Sequence, residues 1–550
     1  MAAQITKLLV ENYKSVGDRI ELCFPAGKPL VLVGENNAGK SNVAKALGLV
    51  LGTFWPGAYE PDDNDFHGRV RDNPIKIRVE FSPTQKFGRF TSIDWRFEEG
   101  GDPPISFLGS PGSHFVRNED RDTCACIVIE AERRLGYQLS YTSKWTYLSK
   151  LMHKFHDVML AHADVKDELE KLFASTKEKF LQIPEFADFL RELRDQFDEM
   201  AGSMTYRLQV DFEAYNPVNF FHALRLQAAE GSEPRTLEEM GTGEQQILAM
   251  AFAYAYAKAF HGGIVLVLEE PEAHLHPLAQ AWLGKRLNDM AAAGLQVLLT
   301  THSASFVDVA NLEGLVLVRK VCGQTRTVQL TAGDLVKVCE ELGVASGKST
   351  PTNILPFYKA NATKEILEGF FTKVIVLVEG PTEALALPIY FERCGLNAEK
   401  EGIAIVPVQG KGNLAKWRRL FYAYGIPTYL IFDNDTDDDS KGVKRRDALI
   451  SVGINESQTD EYIGASDWLV ESEFCVFGKN FEVTLRKTFD TYTALEVEAS
   501  SAGIDSKPFA ARYVASRLQH NPQHAGWAQF EKVAGLLKEK AQHAASGSGN

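Results

Sequence analysis

Apolar residues along the chain gather into short unbroken runs, most of them ending on a carboxylate, a glycine or a threonine. Pro29-Leu30-Val31-Leu32-Val33, Ile264 to Leu268, Gln296 to Thr300, Val374 to Val378, Ile403 to Val408 and Tyr429 to Phe432 are short and rich in β-branched residues. Such runs predict strands buried on both faces, as in parallel sheets. Helical patterns follow at Asn42 to Leu51, Ile247 to Phe260 and after Pro381, as the crossovers between parallel strands require. Ile5 to Val10 and Ile20 to Phe24 alternate instead, two short strands around an Asn12-Tyr13-Lys14-Ser15 turn, while Ile75 to Phe81 and Cys126 to Glu130 lie among Gly/Pro/Asp-rich loops. From Leu148 the period changes. Leu148, Leu151, Phe155, Val158, His162, Val165, Leu169 and Leu172 step by alternating three and four, a heptad seam that Pro184 breaks before Phe186, Phe189, Leu193, Phe197 and Met200 resume it. This pattern predicts a helical hairpin, its seam closing either on itself or, the reading favoured, on a second copy. Ser346 to Pro356 reads as a connector and His543 to Asn550 as a disordered tail. The pattern as a whole predicts an α/β multidomain protein.

Composition narrows the picture. A chain of 550 residues exceeds one hydrophobic core. The start of the chain shows no basic region followed by an apolar core, and no stretch has the roughly 18 apolar residues of a membrane span, so a cytoplasmic protein is expected. Seven scattered cysteines, with Cys124 and Cys126 the one close pair, form no zinc pattern. A net charge of −14 argues against coating nucleic acid through bulk charge but leaves room for a local basic groove.

Chemistry concentrates at the ends of the buried runs. Gly34-Glu35-Asn36-Asn37-Ala38-Gly39-Lys40-Ser41 follows a strand and opens a helix, the setting of a phosphate loop. There Gly34, Asn36, Asn37 and Gly39 let backbone N–H groups close on phosphate, Lys40 reaches the outer phosphates and Ser41 ligates Mg²⁺ of bound ATP. Gly241 and Gly243, in Met240-Gly241-Thr242-Gly243-Glu244, open a second anion-facing helix start. Glu269 ends one strand as a Mg²⁺-holding carboxylate, Glu270 is placed to polarise an attacking water, and His302, in Thr301-His302-Ser303, can sense the γ-phosphate. Asp65-Phe66-His67-Gly68 reads equally as a turn. Farther on, Glu379 and Glu383 flank a Gly-Pro turn four residues apart, and Asp433 and Asp435 fall on one face of an extended segment. Four carboxylates behind two buried strands suit Mg²⁺ or Mn²⁺. Asp439 closes an acidic run that could add a ligand. Lys411, in Gln409-Gly410-Lys411-Gly412-Asn413, supplies charge beside a backbone that can approach phosphate. Lys416, Arg418, Arg419, Lys441, Lys444, Arg445 and Arg446 flank the aspartates, as a polyanionic substrate would favour.

Two resemblances follow from these residues. The order of phosphate loop, glycine-rich helix start, acidic strand and strand-Thr-His-Ser resembles the ABC-type ATPase head of structural-maintenance-of-chromosomes proteins, which implies nucleotide sandwiched between two heads and hence a homodimer or higher homo-oligomer. Val374 to Asp435 looks like a Toprim domain. The two together resemble the OLD (overcoming lysogenisation defect) nucleases, whose relatives include the nuclease subunit of the Gabija anti-phage system. The resemblance implies an ABC/SMC-like head at 1–144 and 206–355, a helical insertion at 145–205, and at 366–550 a Toprim nuclease domain with a helical C-terminal extension. It implies a DNA endonuclease with Glu379, Glu383, Asp433 and Asp435 holding two divalent metals. Glu482 is then a further acidic ligand and Lys507 the downstream lysine, each beside aromatic anchors, with Glu471 and Glu473 as rivals for the acidic role. DNA is the implied substrate, phage defence the setting, and a helicase-like or other defence-system protein a compatible partner. Two other readings stand beside it: topoisomerase-like strand passage, for which no winged-helix-like region carries a tyrosine, and an ATP-driven DNA-binding or scaffold protein of recombination and repair with an inert Toprim fold, against which the intact carboxylate set argues.

Overall fold

The computed structural model describes residues 3–130 without 53 and 122, scattered positions between 164 and 251, and 263–546 without 437 and 438. The chain divides into two compact units, 1–131 with 261–550, and 132–260. In the second unit the described residues include a small antiparallel ladder, Ala228–Glu230 against Glu233–Arg235. Apart from isolated positions, the hairpin expected at 145–205 lies outside the described residues.

In the first unit the apolar runs fold as the pattern predicts. Leu30–Val33, four consecutive buried residues, sits at the centre of a six-stranded sheet. Gln296–Thr300 and then Gly263–Glu269 and Cys124–Ile129 lie on one side of it, Leu315–Val321 and Gln324–Gln329 on the other. All neighbours are parallel except the last pair. The register sets Glu269 beside Thr300, so the strands end together and their side chains meet in one crevice. The alternating strands form a second, antiparallel sheet in which Ile5–Glu11 pairs with Ile20–Cys23 and with Ile75–Phe81.

The third sheet runs in the order Ile403–Pro407, Val374–Val378, Thr428–Asp433, Phe474–Phe477, Leu469–Val470, with the first four parallel. All five residues of Val374–Val378 are buried, and burying each such side chain contributes about 1.5–3 kcal/mol. Against one face pack Pro381–Arg393, Lys507–Arg517 and Ala525–Ser546. Tyr390 stacks on Phe530 at 4.3 Å between ring centroids, and Phe481 and Trp527 close around the pair. That aromatic cluster fixes the helix that begins at Phe481 against the helix carrying Glu383, and Lys507–Arg517 joins the same core through Ala511, Val514 and Ala515.

Two segments differ from expectation. The connector at Ser346–Pro356 contains the start of a helix, Pro351–Asn361. Pro351 occupies the first turn, where no N–H is needed, and Asn353 Oδ1 accepts the Thr350 N–H at 3.0 Å. The expected tail is helical through Ser546, because an alanine-rich segment that buries Ala541 favours continuing the helix over fraying.

Candidate functional site

Four neighbouring parallel strands of the third sheet each deliver a charged residue just past their carboxyl ends. Ile403–Pro407 leads to Lys411, Val374–Val378 to Glu379, Thr428–Asp433 ends on Asp433, and Phe474–Phe477 leads through the Asn480 N-cap to Glu482. Glu383 joins them from the first turn of Pro381–Arg393, its Oε2 accepting the Gly380 N–H at 3.2 Å. Glu379 Oε1 accepts the Asp433 N–H at 2.7 Å, tying one acidic strand end to the next. Glu383, Asp433 and Glu482 are buried, and Asp433 Oδ1 is buried with no hydrogen-bond partner.

Burial, with like charges close by, raises three of these acids. Burial pushes the Glu379 carboxyl up to about 7, with Glu383 and Asp435 adding to the rise and Lys411 opposing it. Burial and then the neighbouring carboxylates hold Asp433 well above the usual range, and burial with Glu482 raises Glu383. Lys507 Nζ lies 3.1 Å from Glu482 Oε1. Burial pulls its ammonium down, but Glu482, Asp433 and Glu383 raise it above the ordinary lysine value. Lys411 is almost wholly enclosed, 3.0 Å from Asp435 Oδ1 and 3.6 Å from Glu379 Oε1. A set of hard oxygen donors with an orphaned, buried carboxylate oxygen fits a divalent cation such as Mg²⁺ or Mn²⁺. Among the described residues no three acidic, imidazole or thiol groups already converge on one point.

The structure brings together Glu379, Glu383, Asp433, Asp435, Glu482 and Lys507. Glu471 and Glu473 stand at the opposite, amino end of Phe474–Phe477, where Glu473 pairs with Lys540. Asp439 takes no part either: its carboxylate accepts from the backbone and guanidinium of Arg445, whose Nη1 also donates to Asn434 O and Oδ1 at 2.9 Å. This clamp holds the Asp433–Asp435 turn. It also corrects the expectation of a basic flank, because Arg445, Arg418 and Arg419 are buried. Arg419 binds Asp447 and Leu342 O, Arg418 stacks on Tyr422, Lys416 lies 4.0 Å over the Phe357 ring, and Arg446 pairs with Asp460. Lys441 and Lys444 remain on the surface. The sequence reading missed Lys411 as a member of the acidic site, its one signal being a lysine at the end of a strand neighbouring Glu379.

A second crevice forms at the carboxyl ends of the head sheet. A cavity of about 590 Å³ is lined by Asn36, Asn37, Gly39, Lys40, Ser41, Glu270 and His302 among others. Gly39 has φ +105, and a Cβ there would lie 2.1 Å from Thr325 Oγ1, so the loop can close only on glycine. Gly34 is likewise at positive φ beside Val318 O. Lys40 Nζ donates to Gly34 O at 2.9 Å and Glu35 O at 2.8 Å, and burial lowers its ammonium to about 8 despite Glu270, Glu272 and Glu35. Its charge is thus poised for phosphate oxygens. Glu269 is buried, Glu270 stands at φ +47 with its N–H on Thr300 O, and His302 Nε2 lies 3.8 Å from Glu270 Oε1. Glu272, unremarked in the sequence, accepts the His302 N–H at 2.6 Å and so fixes that histidine. Gly241 and Gly243 belong to the other unit, where the Gln245 N–H donates to Gly241 O.

Comparison with known proteins bears on both crevices. Residues 370–435 match the family described as overcoming lysogenization defect protein-like, TOPRIM domain. Residues 129–308 match an AAA domain family described as putative AbiEii toxin, type IV TA system. The chain is 26% identical to the OLD nuclease of Thermus scotoductus, over 78% of this chain and 82% of that protein. It is 27% identical to the Old nuclease of Escherichia phage P2, over 79% and 78%. Among solved structures, an Smc head bound to the C-terminal winged-helix domain of ScpA is 18% identical, with a TM-score of 0.41, and covers 61% of this chain and 99% of its own. An OLD-like Toprim domain and an ATPase domain therefore share this chain.

Proposed function

We propose that this OLD-like chain is an ATP-binding, divalent-metal-dependent DNA endonuclease whose ATPase head governs its Toprim site, and that it serves in defence against phage. The observation that carries the reading is that Glu379, Glu383, Asp433, Asp435 and Glu482 lie as neighbours, with Lys507, beside the carboxyl ends of three adjacent strands. These carboxylates would hold Mg²⁺ or Mn²⁺, which supplies an activated water and neutralises charge on the scissile phosphodiester. Glu379, oriented by the Asp433 N–H, and Glu383, fixed by its own helix start, keep the acidic set in place. Lys507, 62% exposed at its side chain, reaches from Glu482 toward solvent and can stabilise the developing negative charge. Surface Lys441 and Lys444 can contact the DNA backbone.

In the head, Lys40 and the loop from Gly34 to Ser41 take the phosphates of ATP. Ser41 and Glu269 hold its Mg²⁺, Glu270 orients the attacking water, and Gly241 and Gly243 serve a second head in a homodimer. The proposed division is 1–144 and 206–355 for the head, 145–205 for the dimerising insertion and 366–550 for the Toprim region. Arg319 offers a route between the sites. It is half-buried within the electrostatic reach of Glu35 in the phosphate loop, and its guanidinium donates to Gly425 O at 2.7 Å and to Thr372 O and Lys373 O. The names of the two nuclease relatives support the chemistry. Incubation of supercoiled plasmid with Mn²⁺ tests the reading: nicked or linear DNA is expected. Relaxation to closed topoisomers, or binding without breakage, would sink it.

A further inference from the structure

Lys411 is not explained by the chemistry above. Among the described residues it is one of the most enclosed charged side chains, and it lies inside the acidic cluster rather than at its rim. Its position is built. The loop after Ile403–Pro407 is tied to the neighbouring strand by Val408 N–H on Val378 O at 2.9 Å and Gly410 N–H on Glu379 O at 2.8 Å. Asn413 Nδ2 closes the turn on Val408 O at 3.0 Å. Gln409 and Gly410 both take positive φ, a conformation that turns the chain inward and delivers Lys411 between Glu379 and Asp435.

We propose that Lys411 is a resident counter-cation of the carboxylate site, a positioning residue that bridges Glu379 and Asp435 and gives up those oxygens when a divalent cation enters. The inference rests on the reading of these carboxylates as metal ligands. An ammonium and a divalent cation cannot occupy the same pair of carboxylates, because their repulsion in a poorly solvated site is strong. Removing the resident charge therefore leaves acids that hold a divalent ion more tightly. It also means that metal entry moves Lys411 outward, where its ammonium can meet a phosphate.

Two measurements on the full-length protein, without DNA or nucleotide, test this. Calorimetric titration with Mn²⁺ compares wild type, Lys411→Gln and Lys411→Arg, with Glu379→Gln as the blank for ions bound elsewhere. Lys411→Gln is expected to tighten binding about tenfold or more, and Lys411→Arg, which keeps the charge, to stay within about threefold of wild type. Amine acylation of wild type, read by peptide mass spectrometry, is expected to rise about fivefold or more at Lys411 on adding Mn²⁺, with exposed Lys441 unchanged as reference. This second reading stands even where Lys411→Gln does not fold. Wild type that binds no Mn²⁺ beyond the blank overturns the metal reading itself. Metal binding that is equal or weaker in Lys411→Gln, or labelling of Lys411 that does not rise, overturns the role of Lys411 and leaves the metal site standing.

Discussion

Glu379 joins two functions in one carboxylate: it accepts the Asp433 N–H that docks the next strand, and it faces the acidic cluster. Its folded-state carboxyl is raised from 4.5 to about 7, so the folded chain holds this proton more tightly than the unfolded chain. Stability from this group is therefore present below about 4.5 and lost as the pH rises through 7, by about 3 kcal/mol in all. Thermal melts of the metal-free protein should show Tm falling across that window, flattening in Glu379→Gln, and recovering at pH 8 on addition of Mn²⁺. A Tm that climbs with pH in the metal-free wild type would contradict the burial argument. The four carboxylates Glu379, Glu383, Asp433 and Asp435 were legible in the sequence because each pair is local to one strand end. Glu482 and Lys507 were reached only through family resemblance, since nothing within 40 residues of Asp433 marks them. Lys411 read as a phosphate-facing lysine because its acidic partners lie 24 and 32 residues away in sequence.

At the scale of elements, the turn after Thr428–Asp433 is held by a buried arginine as well as by backbone hydrogen bonds such as Asp439 N–H to Thr436 O. Arg445, on the helix Val443–Ser451, binds Asp439, Asn434 O and Asn434 Oδ1, and Asn434 Nδ2 in turn donates to Tyr462 O and Ala465 O. Arg445→Met should destabilise the protein by about 3–5 kcal/mol, because it leaves Asp439 buried without its partner. Denaturant unfolding checks that figure, and a loss below about 1 kcal/mol would show the clamp to be incidental. The same helix shows where periodicity misleads. A run of lysines and arginines beside an acidic strand suggests a polyanion site, yet Arg419 and Arg445 are neutralised by Asp447 and Asp439 within the fold. Strand positions fared better, because buried parallel strands are continuous apolar runs whose ends are set by polar residues. Helix starts such as Pro351 were harder to read, since the residues that cap a helix also make connectors.

For the molecule as a whole, the order of the two domains was plain from the motifs, whereas the seam between them was not. Arg319 ends up donating to three carbonyls at strand starts of the Toprim sheet, and Tyr424 Oη donates to Leu315 O, pairs separated by more than 50 residues that no local pattern announces. Arg319→Met should lower Tm and, in a cleavage assay, shrink the difference between rates with and without ATP, while leaving nucleotide affinity within about threefold. An undiminished ATP effect would place the coupling elsewhere. The central claim is that one carboxylate cluster cuts DNA under the control of one nucleotide site. The rate at which supercoiled plasmid is broken in Mn²⁺, with and without ATP, by wild type, Glu379→Ala and Lys40→Ala tests it most directly. Wild type is expected to break DNA at a rate that ATP changes, Lys40→Ala to break it at a rate that ATP does not change, and Glu379→Ala to lose at least about a thousandfold with ATP binding retained. Strand breakage that survives Glu379→Ala, or an ATP effect that survives Lys40→Ala, would contradict it.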